Sequence, residues 1–348
     1  WWMIMLEKYI QKISMDPVSK VRSLACDCLA TMTKNIFENL SSRYQRLSIA
    51  LLLPLPDDEE TIVRASACRA LGVFVLFPSL REDACFVTDM AMAILEKMKD
   101  DTLLVRLRAG WAQGNLCDTL IITSEMTGFH FNDWISLDIW MKIISTATQA
   151  SLDNDKLRSN AVRAIGSLLR MTPRNYLDNR HSIQLIKEAI NSLAKNIETG
   201  SLKTRWNACH AASNLLLNET FPIGYIEPSS PSSKQQYIWT GILYNSLVKA
   251  LTKCSNYKVR INACLALATP KQTHFYGDHL QTIFQSILST WYACHDPNHS
   301  IEYQELKYHE QLKDQVFLHK NTFVHKRLLI FLIYSFLFLF LLFHKYIG

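Results

Sequence analysis

Val63-Arg64-Ala65-Ser66-Ala67-Cys68-Arg69-Ala70-Leu71 decides the reading of this chain, because the sequence keeps returning to it. The pattern is an aliphatic residue, Arg, two variable residues, Ala, two more variable residues and a small one. It occurs at Val21-Arg22 with Ala25 and Cys28, at Val63-Arg64 with Ala67 and Ala70, and at Val105-Arg106 with Ala109 and Ala112. It returns at Leu157-Arg158 with Ala161 and Ala164, and at Val259-Arg260 with Ala263 and Ala266. Thr204-Arg205 with Ala208 and Ala211 is the fifth of the six copies, with Thr in the aliphatic place. The arginines are 42, 42, 52, 47 and 55 residues apart, and alanine stands third after Arg in every copy.

That spacing has a helical meaning. Residues three and six or seven after the Arg share one stripe of a helix, and small side chains there let a neighbouring helix come close. Leu29, Leu71, Ile165 and Leu267, seven after the Arg, place bulk beside the small residues. Acidic or polar turns precede the copies: Asp16-Pro17, Asp57-Asp58, Asp100-Asp101, Asp153-Asn154-Asp155, Ser201 and Ser255-Asn256. These are predicted to be N-cap residues. A second amphipathic run separates the copies, as in Ile49 to Leu53, Met90 to Leu95, Ile183 to Leu193 and Ile242 to Leu251. Two helices in roughly 40–47 residues is the signature of a HEAT or armadillo repeat. The predicted fold is therefore all-α, a right-handed α-α superhelix of about six two-helix repeats, stabilised by stacking of neighbours. The six arginines and six alanines are expected to form a structural ladder. An Asp lies six residues before Arg22, Arg64 and Arg106, so ion pairs within or between repeats are expected.

The composition agrees with long helices. Only ten Gly and ten Pro occur in 348 residues, with 49% hydrophobic and 20% charged residues, which excludes wholesale disorder. The formal charge is +6, from 37 basic and 31 acidic residues scattered along the chain, so no polybasic arm indicates a nucleic-acid partner. The opening Trp1-Trp2-Met3-Ile4-Met5-Leu6 has no charged n-region and reads as the start of a fragment rather than as a signal peptide. Nine cysteines contain no Cys-x-x-Cys pair, the nearest being Cys26 and Cys28, which favours a reducing compartment over a disulfide scaffold.

The pattern is interrupted in three places. Thr119 to Ile135 lengthens the third repeat, with Gly128, Phe129, His130 and Phe131 expected in a surface loop. Residues 222–236 hold Glu227-Pro228-Ser229-Ser230-Pro231-Ser232-Ser233, a Pro/Ser run expected to be a mobile loop. Residues 316–327 read as a basic linker, and Leu328 to Phe343 is 16 residues without a charge. As a helix that segment is about 24 Å long, short against a hydrocarbon core of about 30 Å. With residues up to 347 it is membrane-competent by composition, and Lys326 and Arg327 would hold the array on the cytosolic side.

Lys203-Thr204-Arg205-Trp206-Asn207-Ala208-Cys209-His210-Ala211 resembles the C-terminal repeats of the HEAT repeat-containing protein 6 family, as do Asn214, Pro222-Ile223-Gly224 and Trp239-Thr240. Tyr244-Asn245, Lys258-Val259-Arg260 and Tyr276-Gly277 extend the resemblance, which covers roughly residues 150–315 in order. It implies a helical-repeat protein without an established catalytic role. The end departs from it. Lys313 stands 53 residues after Arg260, in the place of the next Arg, but Val316 replaces the expected alanine and a Phe-rich tail follows. A genuine tail anchor and translated non-coding sequence both account for that departure.

Catalytic and metal sites find little support. Cys26, Cys68, Cys209 and Cys264 all lie four after a repeat Arg, which reads as a small buried packing position. Cys209-His210 and Cys294-His295 are adjacent, so their side chains diverge on a helix. No phosphate-binding glycine run and no Gly-x-Ser-x-Gly occurs. Trp111 and Trp206 read as core or inter-repeat residues. No catalytic residue, cofactor or metal is expected. The leading reading is a scaffold or adaptor that binds protein partners along a concave face, cytoplasmic or nuclear, without nucleic acid. A membrane tether through Leu328 to Phe343 and a transport-receptor-like cargo binder are the alternatives. The latter would predict an acidic inner face or a small-GTPase site, which the basic balance of the chain does not support.

Overall fold

The computed structural model describes residues 1–129, 131–223, 238–296 and 302–320. The predicted loop at 222–236 lies almost wholly outside them, as do His130 and the apolar segment Leu328 to Phe343. Every element among the described residues is helical. Residues 2–13 form α1, which includes a π-helical stretch at Met5–Ile10. The longer helices that follow are α2 (Ser19–Ala30), α3 (Ser42–Leu52), α4 (Thr61–Phe74), α5 (Ala84–Lys97), α6 (Leu103–Thr127), α7 (Leu137–Ala150), α8 (Asp155–Met171) and α9 (Arg180–Thr199). Then come α10 (Leu202–Leu217), α11 (Ile238–Lys253), α12 (Tyr257–Ala268) and α13 (Leu280–Cys294), with α14 at 306–320. Two compact units divide the chain at Asn196 and Ile197.

Each copy of the Arg-x-x-Ala pattern opens one helix: α2, α4, α6 and α8 in the first unit, α10 and α12 in the second. In the first unit these ladder helices pack side by side, α2 on α4, α4 on α6, and α6 on α8. The reason is the alanine stripe. Ala25, Ala67, Ala109, Ala161, Ala208 and Ala263 are all fully buried. One core cluster joins Ala65 and Cys68 of α4, Val105 and Ala109 of α6, and Leu157 and Ala161 of α8, closed by Met98 and Ala150. The approach is close enough that a Cβ on Gly110 would collide with Leu157 Cδ1. The intervening helices supply larger apolar side chains, such as Met90 and Ile94 of α5 and Ile143 and Ile144 of α7, all fully buried.

The third repeat differs from its sequence reading. The lengthening at residues 119–127 is a continuation of α6, a helix of 25 residues. Thr119, Leu120 and Thr123 are buried along that extension. Gly128 ends the helix in the left-handed region, with φ of 67°, and donates its N–H to Ser124 O at 2.9 Å. Phe131, expected on a surface loop, is 6% exposed, with its ring 6.3 Å from that of Tyr176. The expected linker at 316–327 also changes. Its first five residues complete α14, and Val316 is fully buried in the position where the other repeats have alanine. Among the described residues no helix is long and apolar enough to cross a membrane.

Candidate functional site

Three of the six arginines make inter-repeat carboxylate pairs. Arg22 donates through Nε and Nη2 to the two oxygens of Asp58, at 2.7 and 2.8 Å. Arg64 does the same to Asp100, at 2.8 and 3.3 Å, and Arg106 Nε donates to Asp153 at 3.1 Å. Each also ties down its own repeat through Nη1. Arg22 donates to the carbonyls of Asp16 and Pro17, Arg64 to those of Asp58 and Glu59, and Arg106 to those of Asp100 and Asp101. So one turn gives its carboxylate to the preceding Arg and its carbonyls to the following one. Arg158 uses the carbonyls of Asp153 and Leu152, with Asp155 at 3.3 Å. In the second unit Arg205 Nε donates to Ile197 O at 2.8 Å, and Arg260 Nε to Leu251 O at 2.9 Å.

This geometry changes what the acidic turns do. Asp16, Asp58 and Asp100 were expected to be N-caps. Instead, each accepts a backbone N–H two residues on, from Val18, Glu60 and Thr102, while the N-cap positions make no side-chain cap. At Asp58 and Asp100 the competing demand is the arginine of the repeat before. In the later copies Asn154, Ser201 and Asn256 do cap, accepting from Lys156, Thr204 and Val259.

Asp58 and Asp100 are acidified. The Arg22 hydrogen bond holds Asp58 below the usual carboxylate range, against the opposing effect of burial. At Asp100 burial is the largest influence and acts upward, yet the Arg64 and Thr102 hydrogen bonds together bring it below its ordinary value. A lowered carboxylate stabilises the fold above its unfolded value, about 4, and that contribution is lost as pH falls through the folded value. Urea unfolding between pH 6 and pH 3 is therefore expected to show stability dropping below about pH 4. Asp100→Asn should shrink the drop, and identical pH profiles for the two proteins would remove the pair from the account.

Beyond the ladder, a second network joins the helices on their exposed side. Arg69 of α4 pairs with Asp27 of α2 at 3.1 Å, and Arg163 of α8 with Asp118 of α6 at 3.4 Å. Arg163 also donates to Asn115 Oδ1 at 2.9 Å, while Asn115 Nδ2 donates to Gly72 O at 2.8 Å. The Arg163 guanidinium lies over Gly114, where a Cβ would displace it, and Trp111 lies over Gly72 with its ring 2.7 Å from where a Cβ would sit. Trp111 is thus an inter-helix contact. In the second unit Lys258 Nζ lies 5.1 Å from the Trp206 ring and 4.9 Å from that of Tyr308. Sequence reasoning did not find these networks. The signal available was Gly72, Gly110 and Gly114 inside long helical runs, where no turn needs them and close approach does.

No three His, Cys, Asp or Glu side chains converge on a metal-sized site among the described residues. Cys26, Cys68, Cys209 and Cys264 are fully buried. Burial pushes the thiols of Cys26, Cys68 and Cys264 up to about 12, and that of Cys209 up as well. A thiol held protonated is a poor ligand and a poor nucleophile. His210 is exposed where Cys209 is buried, and His295 is exposed beside buried Cys294, so neither neighbouring pair forms a dyad.

What remains is a surface. On α2, α4, α6 and α8 the positions two before and two after the repeat Arg stay open or half-open. They are Lys20 and Leu24, Ile62 and Ser66, Leu104 and Arg108, and Lys156 and Asn160.

No protein-family model matches the sequence. An uncharacterized protein of Dictyostelium discoideum is 24% identical over 404 aligned positions, covering 88% of this chain. The chain spans 26% of that relative's length. Among solved structures, a designed armadillo repeat protein in complex with the peptide (KR)4 has a TM-score of 0.50 at 19% identity, over 75% of this chain and 97% of that one. An archaeal HEAT-like repeats protein from Thermococcus onnurineus NA1 has a TM-score of 0.47 at 13% identity, over 88% and 99%. The fold is that of the HEAT/armadillo solenoids, and at these identities the likeness concerns the fold alone.

Proposed function

We propose that the chain is a non-catalytic repeat scaffold whose ladder-helix face in the first unit binds an extended segment of a protein partner. The observation that carries this is register. Four neighbouring helices present side chains at the same two positions, one helical turn apart, while the stripe on the opposite side of each helix is buried. Packed helices lie roughly 10 Å apart, about three residues of extended chain, so an extended segment crossing them meets an equivalent pair of side chains at each step. Assignment to the HEAT repeat-containing protein 6 family, with a cytoplasmic or nuclear location, belongs to the same proposal. It rests on the residues between 150 and 315 quoted above.

A photo-cross-linking amino acid at Ser66 or Asn160, compared with one at Asp89 or Lys187 on the intervening helices, tests the face. Cross-links to a partner polypeptide are expected from the first two positions only. Equal yields from all four, or yields only from Asp89 and Lys187, would end the proposal.

A further inference from the structure

Resting on that ladder-face reading, we infer that the partner is an acidic extended segment carrying aliphatic side chains, and that Arg108 anchors it. Charge compensation across the face is uneven, and the unevenness is specific to register. Five residues after the repeat Arg, cations are already neutralised across the helix boundary, Arg69 by Asp27 and Arg163 by Asp118. Further along the same side, Arg170 is held by Glu125 at 2.5 Å. Two residues before and two after the repeat Arg, the pattern stops. Lys20, Arg108 and Lys156 are exposed and meet no carboxylate among the described residues. Arg108 is central, flanked at its own register by Ser66 on α4 and Asn160 on α8, which offer no negative charge.

The same two registers carry the exposed aliphatic residues. Leu24 is 57% exposed, Ile62 42% and Leu104 44%. Leu104 lies one turn from Arg108 on α6, and Leu24 one turn from Lys20 on α2, so cation and aliphatic side chain are paired along the helices. A complementary ligand needs carboxylates for the cations and aliphatic groups for the leucines and Ile62. With helices roughly 10 Å apart, it repeats them about every third residue. Single-stranded nucleic acid meets only half of this. Its phosphates suit the cations, but Leu24, Ile62 and Leu104 give bases nothing to stack on. The indole of Trp111 is already laid against α4 at Gly72.

The test uses the full chain and fluorescein-labelled dodecapeptides of three compositions, Glu/Leu, Lys/Leu and Gln/Leu, with a single-stranded RNA dodecamer, all by fluorescence anisotropy. The expected result is binding of the Glu/Leu peptide alone, weakened at least tenfold by Arg108→Glu and severalfold by Leu104→Ser. Lys187→Glu, on α9, should leave it unchanged. Arg108 is exposed, and a thermal melt of Arg108→Glu matching that of the parent chain keeps the comparison fair. Equal binding of the Lys/Leu or Gln/Leu peptide that still falls with Leu104→Ser would overturn the acidic partner while leaving the scaffold face standing. Tighter binding of RNA, lost in Arg108→Glu, would make the surface a nucleic-acid site. Absence of binding by every probe would overturn the acidic-segment inference, and the cross-linking comparison would decide the face itself.

Discussion

Ala109→Asp is expected to destabilise the first unit by about 4 kcal/mol, enough to leave much of the chain unfolded at room temperature. Ala109 is fully buried in the cluster that joins α4, α6 and α8. Its neighbour Gly110 leaves no room for even a Cβ against Leu157. A carboxylate at Ala109 therefore has neither space nor water, and the helices must separate or the group must take up a proton. The matched control is Ala50→Asp at the exposed Ala50 of α3, where the same change costs under about 1 kcal/mol, mainly from a negative charge near a helix C-terminus. Urea midpoints of the two variants decide the matter. Equal, small shifts would mean that the alanine stripe is not an inter-helix contact.

For Asp100→Ala the expected loss is about 3 kcal/mol, the second largest effect. Two interactions disappear together. The Asp100 carboxylate takes both the Nε and the Nη2 of Arg64, and it also accepts the Thr102 N–H at 2.9 Å. Its side chain is 8% exposed and that of Arg64 18%, so this pair lies between a surface ion pair, worth about 0–1 kcal/mol, and a buried one, whose breaking costs about 3–5 kcal/mol. Arg64 keeps the carbonyls of Asp58 and Glu59, which limits the damage. Arg64→Leu in the Asp100→Ala background should recover part of the loss, because the unpaired guanidinium is removed. A double-mutant cycle giving a coupling near zero would show that the turn, and not the pair, carries the stabilisation.

Much of this fold could be read from periodicity. The Ala-x-x-small stripe needs only the geometry of a single helix, and a near-constant interval between copies needs only counting. For the same reason the alanines and the position-four cysteines were identifiable as buried without coordinates. The extent of α6 was not. Gly128 and the aromatic run after it look like a loop, yet Thr119 to Thr127 is helix because Leu120 and Thr123 have a surface to pack on. That surface belongs to other parts of the chain, so no local signal reports it.

The partner of each arginine was likewise undetermined. Asp58 lies six residues before Arg64 and 36 after Arg22. Local distance favours the first pairing, whereas the folded chain gives Arg64 the Asp58 carbonyl and gives Arg22 the carboxylate. The same holds for the exposed face. Arg69 and Arg163 stand five after a repeat Arg and Arg108 two after, but only the packing of α2, α4, α6 and α8 shows that the first two are neutralised and Arg108 is left open. By itself, then, the sequence determined the helical repeat and which stripe of each helix is buried, because both follow from residues a few positions apart on one helix. Tertiary structure alone decided which charges cancel, because side chains some 36 to 47 residues apart compete for the same partner only once the helices are stacked.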